Sequence, residues 1–236
     1  KTRTIAAAAA PPADGDALEA EIAALGTVTM PQFAADLAGL LDALEIERAH
    51  MAGVSMGGMI TAQFACDYPD RMKSLWLCDT VAGNTQGADE AATEVERTVV
   101  TAFERMEAIV RKYGMQGLVD RENRYRHESD PYAHLQTLSV DEQDEDNRRK
   151  KTEHMTAAGY VASNRAIRTR PDLTSRTPSI NVPTLVSCGE WDLFYPSALR
   201  DHKLIPGSRF VTIREAAHDT VAYRPERWLE AGSSFI

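Results

Sequence analysis

Between residues 48 and 68 the chain passes from a short apolar stretch, through a tight glycine-rich turn, straight into a helix-patterned stretch. Arg48–Val54 reads as a strand, Gly53-Val54-Ser55-Met56-Gly57-Gly58 as the turn, and Gly57–Tyr68 as a helix stopped by Pro69, whose ring cannot extend it. Strand and helix joined this closely must pack on each other, which directs the chain toward alternating β and α elements. The remaining pattern agrees. Met72 to Leu77 or Cys78, Thr184–Cys188 after Pro183, and Arg209–Ile213 are short apolar runs with strand character. Helical segments separate them. Thr29 can cap a helix whose apolar face is Phe33, Leu37, Leu40, Leu41 and Leu44, Leu199–Ile205 lies between the last two strands, and Pro225–Ala231 begins a closing helix. The prediction is an α/β fold, a mostly parallel sheet covered by helices on both faces.

One long interval interrupts this rhythm. Residues 81–179 are highly charged and patterned mostly as helix, notably Ala91–Tyr113 and Asp144–Ile167, and read as a helical lid inserted into a core made of residues 29–80 and 180–236. The mixed-sign run Asp141–Lys151 reads as a solvated helix face rather than a docking surface. Residues 1–28 are Ala-rich and atypical, with one short helix expected from Asp16 to Leu25 and no role assigned. A length of 236 residues fits one domain with an insertion better than two independent domains. The formal net charge of -9 argues against nucleic acid as a partner, because phosphate contacts need clustered Lys and Arg. No apolar run reaches the roughly 18 residues of a membrane span, and the start carries no apolar stretch of signal length, so the expected address is cytoplasmic and no membrane partner is expected. Cys66, Cys78 and Cys188 lack metal-ligand spacing, and the last two fall in apolar strands, which suits reduced core thiols.

The candidate chemistry starts at Ser55. A Gly-x-Ser-x-Gly sequence at a strand-to-helix turn holds its serine in a strained conformation, where glycine neighbours avoid clashes and the hydroxyl stands exposed. The Met56 backbone N–H, at the helix start, is a candidate donor to an oxyanion. Serine needs a base to remove its proton and a carboxylate to orient that base. Asp192 follows the strand ending at Cys188, in Gly189-Glu190-Trp191-Asp192, and His218 follows the strand ending at Ile213, in Glu215-Ala216-Ala217-His218. The carboxyl ends of parallel strands share one edge, so Ser55, Asp192 and His218 are expected to converge there. Asp79, at the end of the Met72 strand, competes with Asp192 for the orienting role; His50, His127, His134, His154 and His202 have no comparable placement.

These residues carry a resemblance. Gly-Val-Ser-Met-Gly-Gly, Tyr68-Pro69-Asp70-Arg71 and Leu77-Cys78-Asp79-Thr80 resemble the α/β-hydrolase superfamily, and Gly159-Tyr160 to Ala166-Ile167, Pro183-Thr184-Leu185, Gly189 to Asp192 and Ala216-Ala217-His218 are similar to the 3-oxoadipate enol-lactonase family within it. The resemblance implies hydrolysis of a small-molecule ester or lactone through an acyl-enzyme at Ser55, with no metal or organic cofactor. It leaves open a carboxylesterase, a carbon–carbon bond hydrolase, an acyltransferase, and an inactive domain that binds a small molecule or partner. Members of the family carry further strands and a His-Gly loop, a source of a second oxyanion donor, before the helix that here begins near Thr29; nothing in residues 1–28 resembles them, so the expected fold is N-terminally incomplete. Arg124, Arg126 and Arg165 are candidates to pair with a substrate carboxylate, set against the ordinary reading of solvated lid charges. Oligomeric state is left open.

Overall fold

The computed structural model describes residues 15–83, 90–233 and 235. The apolar runs form four strands, β1 (Ala49–Val54), β2 (Met72–Cys78), β3 (Thr184–Gly189) and β4 (Arg209–Ile213), all parallel and ordered β1-β2-β3-β4 across one sheet. Among the described residues β1 pairs only with β2. The register sets Val54 beside Cys78, Cys78 beside Ser187 and Cys188 beside Thr212, so the carboxyl ends of the four strands form one rim.

Strand periodicity divides the core. Leu75 and Leu77 of β2 point into a large cluster with Val186 and Cys188 of β3, while Trp76 and Cys78 point the other way, into a second cluster with Leu185, Ile213 and Tyr223. Helices cover both faces. On the first, α2 (Met30–Ala43), capped by the Thr29 hydroxyl accepting the Gln32 N–H, buries Met30, Ala34, Ala38 and Leu41, and α3 (Met56–Asp67) buries Met59, Ala62, Phe64 and Ala65. Leu40 and Leu44, expected on the buried face of α2, are instead exposed. On the other face, Trp228 of the closing helix stacks on Trp76 with ring centroids 4.2 Å apart. A Cβ on Gly232, also in that helix, would come within 2.4 Å of the same ring.

Between β2 and β3 lies the helical insertion. A short first helix, α1 (Gly15–Ala24), packs against it, with α4 (Glu90–Glu128), α5 (Val140–Glu153) and α6 (Ala157–Arg168) following β2. Helix α4 is broken at Gly114 (φ 68°, ψ -171°), the residue after the expected helix end at Tyr113, and resumes to Glu128. The continuous helix expected over residues 144–167 is two helices, because Ser139 with Glu142 makes a capping box that starts α5 early and Thr156 caps a fresh helix at α6. The solvated-face reading of residues 141–151 fits the ion pairs Arg148–Glu145, Arg149–Asp146 and Lys150–Asp146 on α5. One polar knot ties the insertion together: Glu107, largely buried, meets Arg111, Arg165 and Arg168, and Glu19 of α1 meets Arg111 and Arg165. No described helix is long and apolar enough to cross a membrane. Of the expected Ala-rich segment 1–28, residues 1–14 lie outside the described residues.

After β3 come α7 (Tyr195–Leu204), which begins four residues ahead of the expected Leu199, and after β4 the short α8 (Thr220–Tyr223) and α9 (Pro225–Ser233). The early start of α7 has two local causes: Pro196 suits a first helical turn, and the Asp192 carboxylate accepts the Phe194 N–H at 2.9 Å.

Candidate active site

Three loops at the carboxyl rim bring Ser55, His218 and Asp192 together. The turn between β1 and α3 puts Ser55 at φ 52°, ψ -118°, a conformation costly for any residue with a Cβ. Hydrogen bonds hold it there: the Ser55 N–H donates to the Cys78 carbonyl at 3.0 Å, and the Ser55 carbonyl accepts the Gly58 and Met59 N–H groups and the Thr80 hydroxyl, the last at 2.7 Å. The glycines do not all serve this turn. A Cβ on Gly53 would lie 2.3 Å from the Gly57 carbonyl oxygen and one on Gly58 would lie 2.4 Å from the Thr80 side chain, whereas at Gly57 it would meet nothing within 4 Å. The expectation that Gly57 is needed for close approach is therefore corrected; Gly53 and Gly58 carry that requirement. Met56 is the first residue of α3, where N–H groups have no carbonyl one turn back to bond.

The Ser55 hydroxyl lies 2.9 Å from His218 Nε2, and His218 Nδ1 lies 3.0 Å from Asp192 Oδ2. A carboxylate only accepts, so Nδ1 carries the proton and Nε2 of a neutral ring is free to accept from the serine. The Asp192 side chain is fully buried while that of His218 is 45% exposed, so the carboxylate is enclosed and the imidazole opens to solvent. Phe194 presents its ring edge-on to the imidazole, with centroids 5.4 Å apart. Burial of the imidazole pushes its pKa down, but the hydrogen bond and charge of Asp192, with the charges of Asp79 and Asp219, more than offset this and hold it above its ordinary value.

Asp79 makes no hydrogen bond to His218. Its carboxylate, fully buried, accepts the Gly189 N–H at 3.1 Å through Oδ1, and the Thr220 N–H and hydroxyl at 2.7 and 2.8 Å through Oδ2. Burial, and then the charge of Asp192, push its pKa up against the Thr220 hydrogen bonds. The Cys188 thiol packs 3.5 Å from Asp192 Oδ2, and burial raises the pKa of both strand cysteines, that of Cys78 to about 12. Cys66, Cys78 and Cys188 are free thiols. Asp79, Cys188 and Asp192 together form a group in which three potential ligand atoms lie within 4.8 Å of one another. The two carboxylates accept hydrogen bonds from Gly189, Thr220, Phe194 and His218, and the Cys188 thiol donates to Asp192 Oδ2.

Of the arginines considered for substrate, Arg126 pairs with Asp144, and Arg165 with Glu19 and Glu107. Sequence reasoning quoted Thr80 only within the Leu77–Thr80 stretch and did not read its bond to the Ser55 carbonyl, and it missed Thr220 and Phe194, each of which touches a rim loop; no local pattern marks Thr220. Gly189 was quoted only as the start of the Asp192 loop, and its close approach was not read: a Cβ there would fall 2.3 Å from the Ala217 carbonyl oxygen. Its glycine at a strand end was the available signal.

Residues 10–225 match the family described as alpha/beta hydrolase fold, and the chain belongs to it. A curated relative, the putative 2-succinyl-6-hydroxy-2,4-cyclohexadiene-1-carboxylate synthase of Bacillus subtilis, is 26% identical over 207 residues, covering 85% of this chain and 70% of that protein. A 2-hydroxy-6-oxononadienedioate/2-hydroxy-6-oxononatrienedioate hydrolase of a Pseudomonas species is 26% identical over 161 residues, 67% of this chain, and the match spans only about half (51%) of that protein. Among solved structures, the enol-lactonase of Burkholderia xenovorans superposes with a TM-score of 0.65 at 27% identity, covering 88% of this chain and 72% of that one. The family and the names of these relatives agree with the resemblance to enol-lactonases.

Proposed function

We propose that the protein is a serine hydrolase of small esters or lactones, with Ser55 as nucleophile, His218 as general base and then general acid, and Asp192 as the group that orients the imidazole. The observation that carries this is the unbroken hydrogen-bond chain from hydroxyl to imidazole to carboxylate, 2.9 and 3.0 Å. As Ser55 Oγ attacks the carbonyl carbon, its proton passes to His218 Nε2, and the imidazolium formed is stabilised by Asp192. Negative charge collects on the carbonyl oxygen, and the Met56 N–H, at the positive end of α3, acts as its donor in this reading. Collapse returns the proton from His218 to the leaving alkoxide; for a lactone that alkoxide stays tethered to the acyl group. Water, deprotonated by His218, then attacks the acyl-enzyme, and the acid leaves as Ser55 regains its proton.

The helical insertion acts in this reading as a lid. Two contacts support it: Tyr132 stacks on Trp191 beside Asp192 with centroids 4.6 Å apart, and Thr137 donates its N–H and hydroxyl to the Ala222 carbonyl just past His218. The test is a panel of p-nitrophenyl esters and small lactones assayed with the chain and its Ser55→Ala variant. Turnover of one class by the chain and none by the variant is expected; equal rates for the two proteins would overturn the assignment.

A further inference from the structure

The strand that carries none of the three reacting groups is bonded to all three of the loops that do. At the end of β2, the Cys78 carbonyl accepts the Ser55 N–H, and the Thr80 hydroxyl donates to the Ser55 carbonyl. Between them Asp79, itself at φ 49°, donates its N–H to the Ser187 carbonyl of β3. Its side chain then reaches onward in two directions. Oδ1 holds the Gly189 N–H, where the loop to Asp192 begins, and Oδ2 holds the Thr220 N–H and hydroxyl, two residues beyond His218. The Thr220 hydroxyl also lies 3.4 Å from Cys78 Sγ.

We infer that Asp79 is a positioning residue, whose carboxylate clamps the Asp192 loop to the His218 loop and so sets the distance between imidazole and serine. The inference rests on the hydrolase reading above and extends it to a residue that touches no substrate. A buried carboxylate that had no task would be costly to keep, and this one accepts three hydrogen bonds from two different loops, none of them in its own strand. Two of the three donors are backbone N–H groups, and a buried N–H that loses its acceptor is costly, so the two loops are held to this carboxylate.

Asp79→Asn separates this role from simple packing. Asparagine is close in shape and tolerates a positive φ, yet its amide nitrogen must face either the Gly189 N–H or the Thr220 N–H, donor against donor. One loop is then pushed away. The full chain is assayed on an ester substrate as wild type, Asp79→Asn, Thr220→Val and Thr220→Ser, with rates counted per active site by burst titration and Ser55→Ala as reference. A displacement of about 1 Å at the reacting groups costs about 100-fold, so kcat of Asp79→Asn is expected to fall about 100-fold with KM changed less than about threefold. The acid limb of kcat/KM also moves to lower pH, because Asp192, Asp79 and Asp219 all favour the His218 imidazolium and one of them has lost its charge. Should Asp79→Asn not fold, the same split is read from Thr220→Val, which removes one of the three bonds and is expected to lose about 10-fold in kcat, and Thr220→Ser, which restores it. Wild-type kcat per site and an unmoved acid limb in Asp79→Asn, beside an inactive Ser55→Ala, overturn the positioning role alone. A fully active Ser55→Ala overturns the hydrolase reading and the positioning role with it.

Discussion

Replacing Gly189 by alanine perturbs the site without touching a reacting group. Gly189 ends β3, and the backbone of Ala216 and Ala217, which leads into His218, passes directly over its α-carbon. A Cβ built there lies 2.3 Å from the Ala217 oxygen, 2.6 Å from the Ala216 oxygen and 3.0 Å from the Ala216 carbonyl carbon. Ordinary carbon–oxygen contacts are about 3.4 Å or longer, so the two backbone segments must part by about 1 Å. Both are backbone, and no rotamer change relieves the clash. The Ala216 carbonyl also accepts the Trp191 N–H at 3.0 Å, so the displacement strains a bond beside Asp192 as well. Overpacking of this kind costs about 1–3 kcal/mol, which for a chain of this length lowers Tm by about 2–12 °C. The same shift opens the 2.9 Å contact between His218 and Ser55, and kcat should fall about 100-fold. Calorimetry and ester turnover measured on one preparation test both effects. An alanine variant with wild-type Tm and wild-type kcat would refute the reasoning.

Three further outcomes follow from the geometry. Asp192→Asn keeps the shape but offers no second acceptor to Nδ1–H, so kcat should fall by about 10⁴-fold with little change in KM, as steady-state kinetics will read. Because His218 is held above the ordinary 6.5, the acid limb of kcat/KM should lie above pH 6.5, and a limb below it would contradict the assigned charges. The sign for stability is the reverse: a raised folded pKa means that this group's contribution is full below about pH 6.5 and is lost as pH rises through the folded value. Glu107→Ala leaves Arg111, Arg165 and Arg168 facing one another around a mostly buried position, and urea unfolding should show a loss of about 2–3 kcal/mol, less than for a fully buried pair because the arginines are 20–35% exposed.

The sheet was legible because each strand is a short apolar run with turn residues at its ends, and Pro183, Pro69 and Gly114 punctuate the chain where the backbone changes course. The Ser55 turn was legible for a related reason: a strained strand-to-helix junction demands particular residues at fixed offsets, and a Cβ on Gly53 or Gly58 would come within 2.3–2.4 Å of backbone or side chain. Asp192 and His218 stood out only through their places after strands. What stayed hidden depends on contacts across the fold. Nothing near Asp79 in sequence indicates that its carboxylate ends up against Gly189 and Thr220, and nothing near Arg165 indicates Glu19 as its partner. The break between α5 and α6 was missed because the helical pattern continues across it; only the Thr156 cap marks the new start, a local signal that periodicity overrides. The arginines suggested as ligands for a substrate carboxylate illustrate the same limit, since Arg126 and Arg165 are engaged by carboxylates of the protein itself.

The central claim is that the Ser55 hydroxyl is an activated nucleophile, and covalent capture reads it without knowledge of the substrate. The chain is treated with a fluorophosphonate at neutral pH, its intact mass is recorded, and the modified peptide is sequenced. One adduct on Ser55, abolished in Ser55→Ala and strongly slowed in His218→Ala, is the expected result. An unmodified chain, or an adduct that persists in Ser55→Ala, would contradict the account.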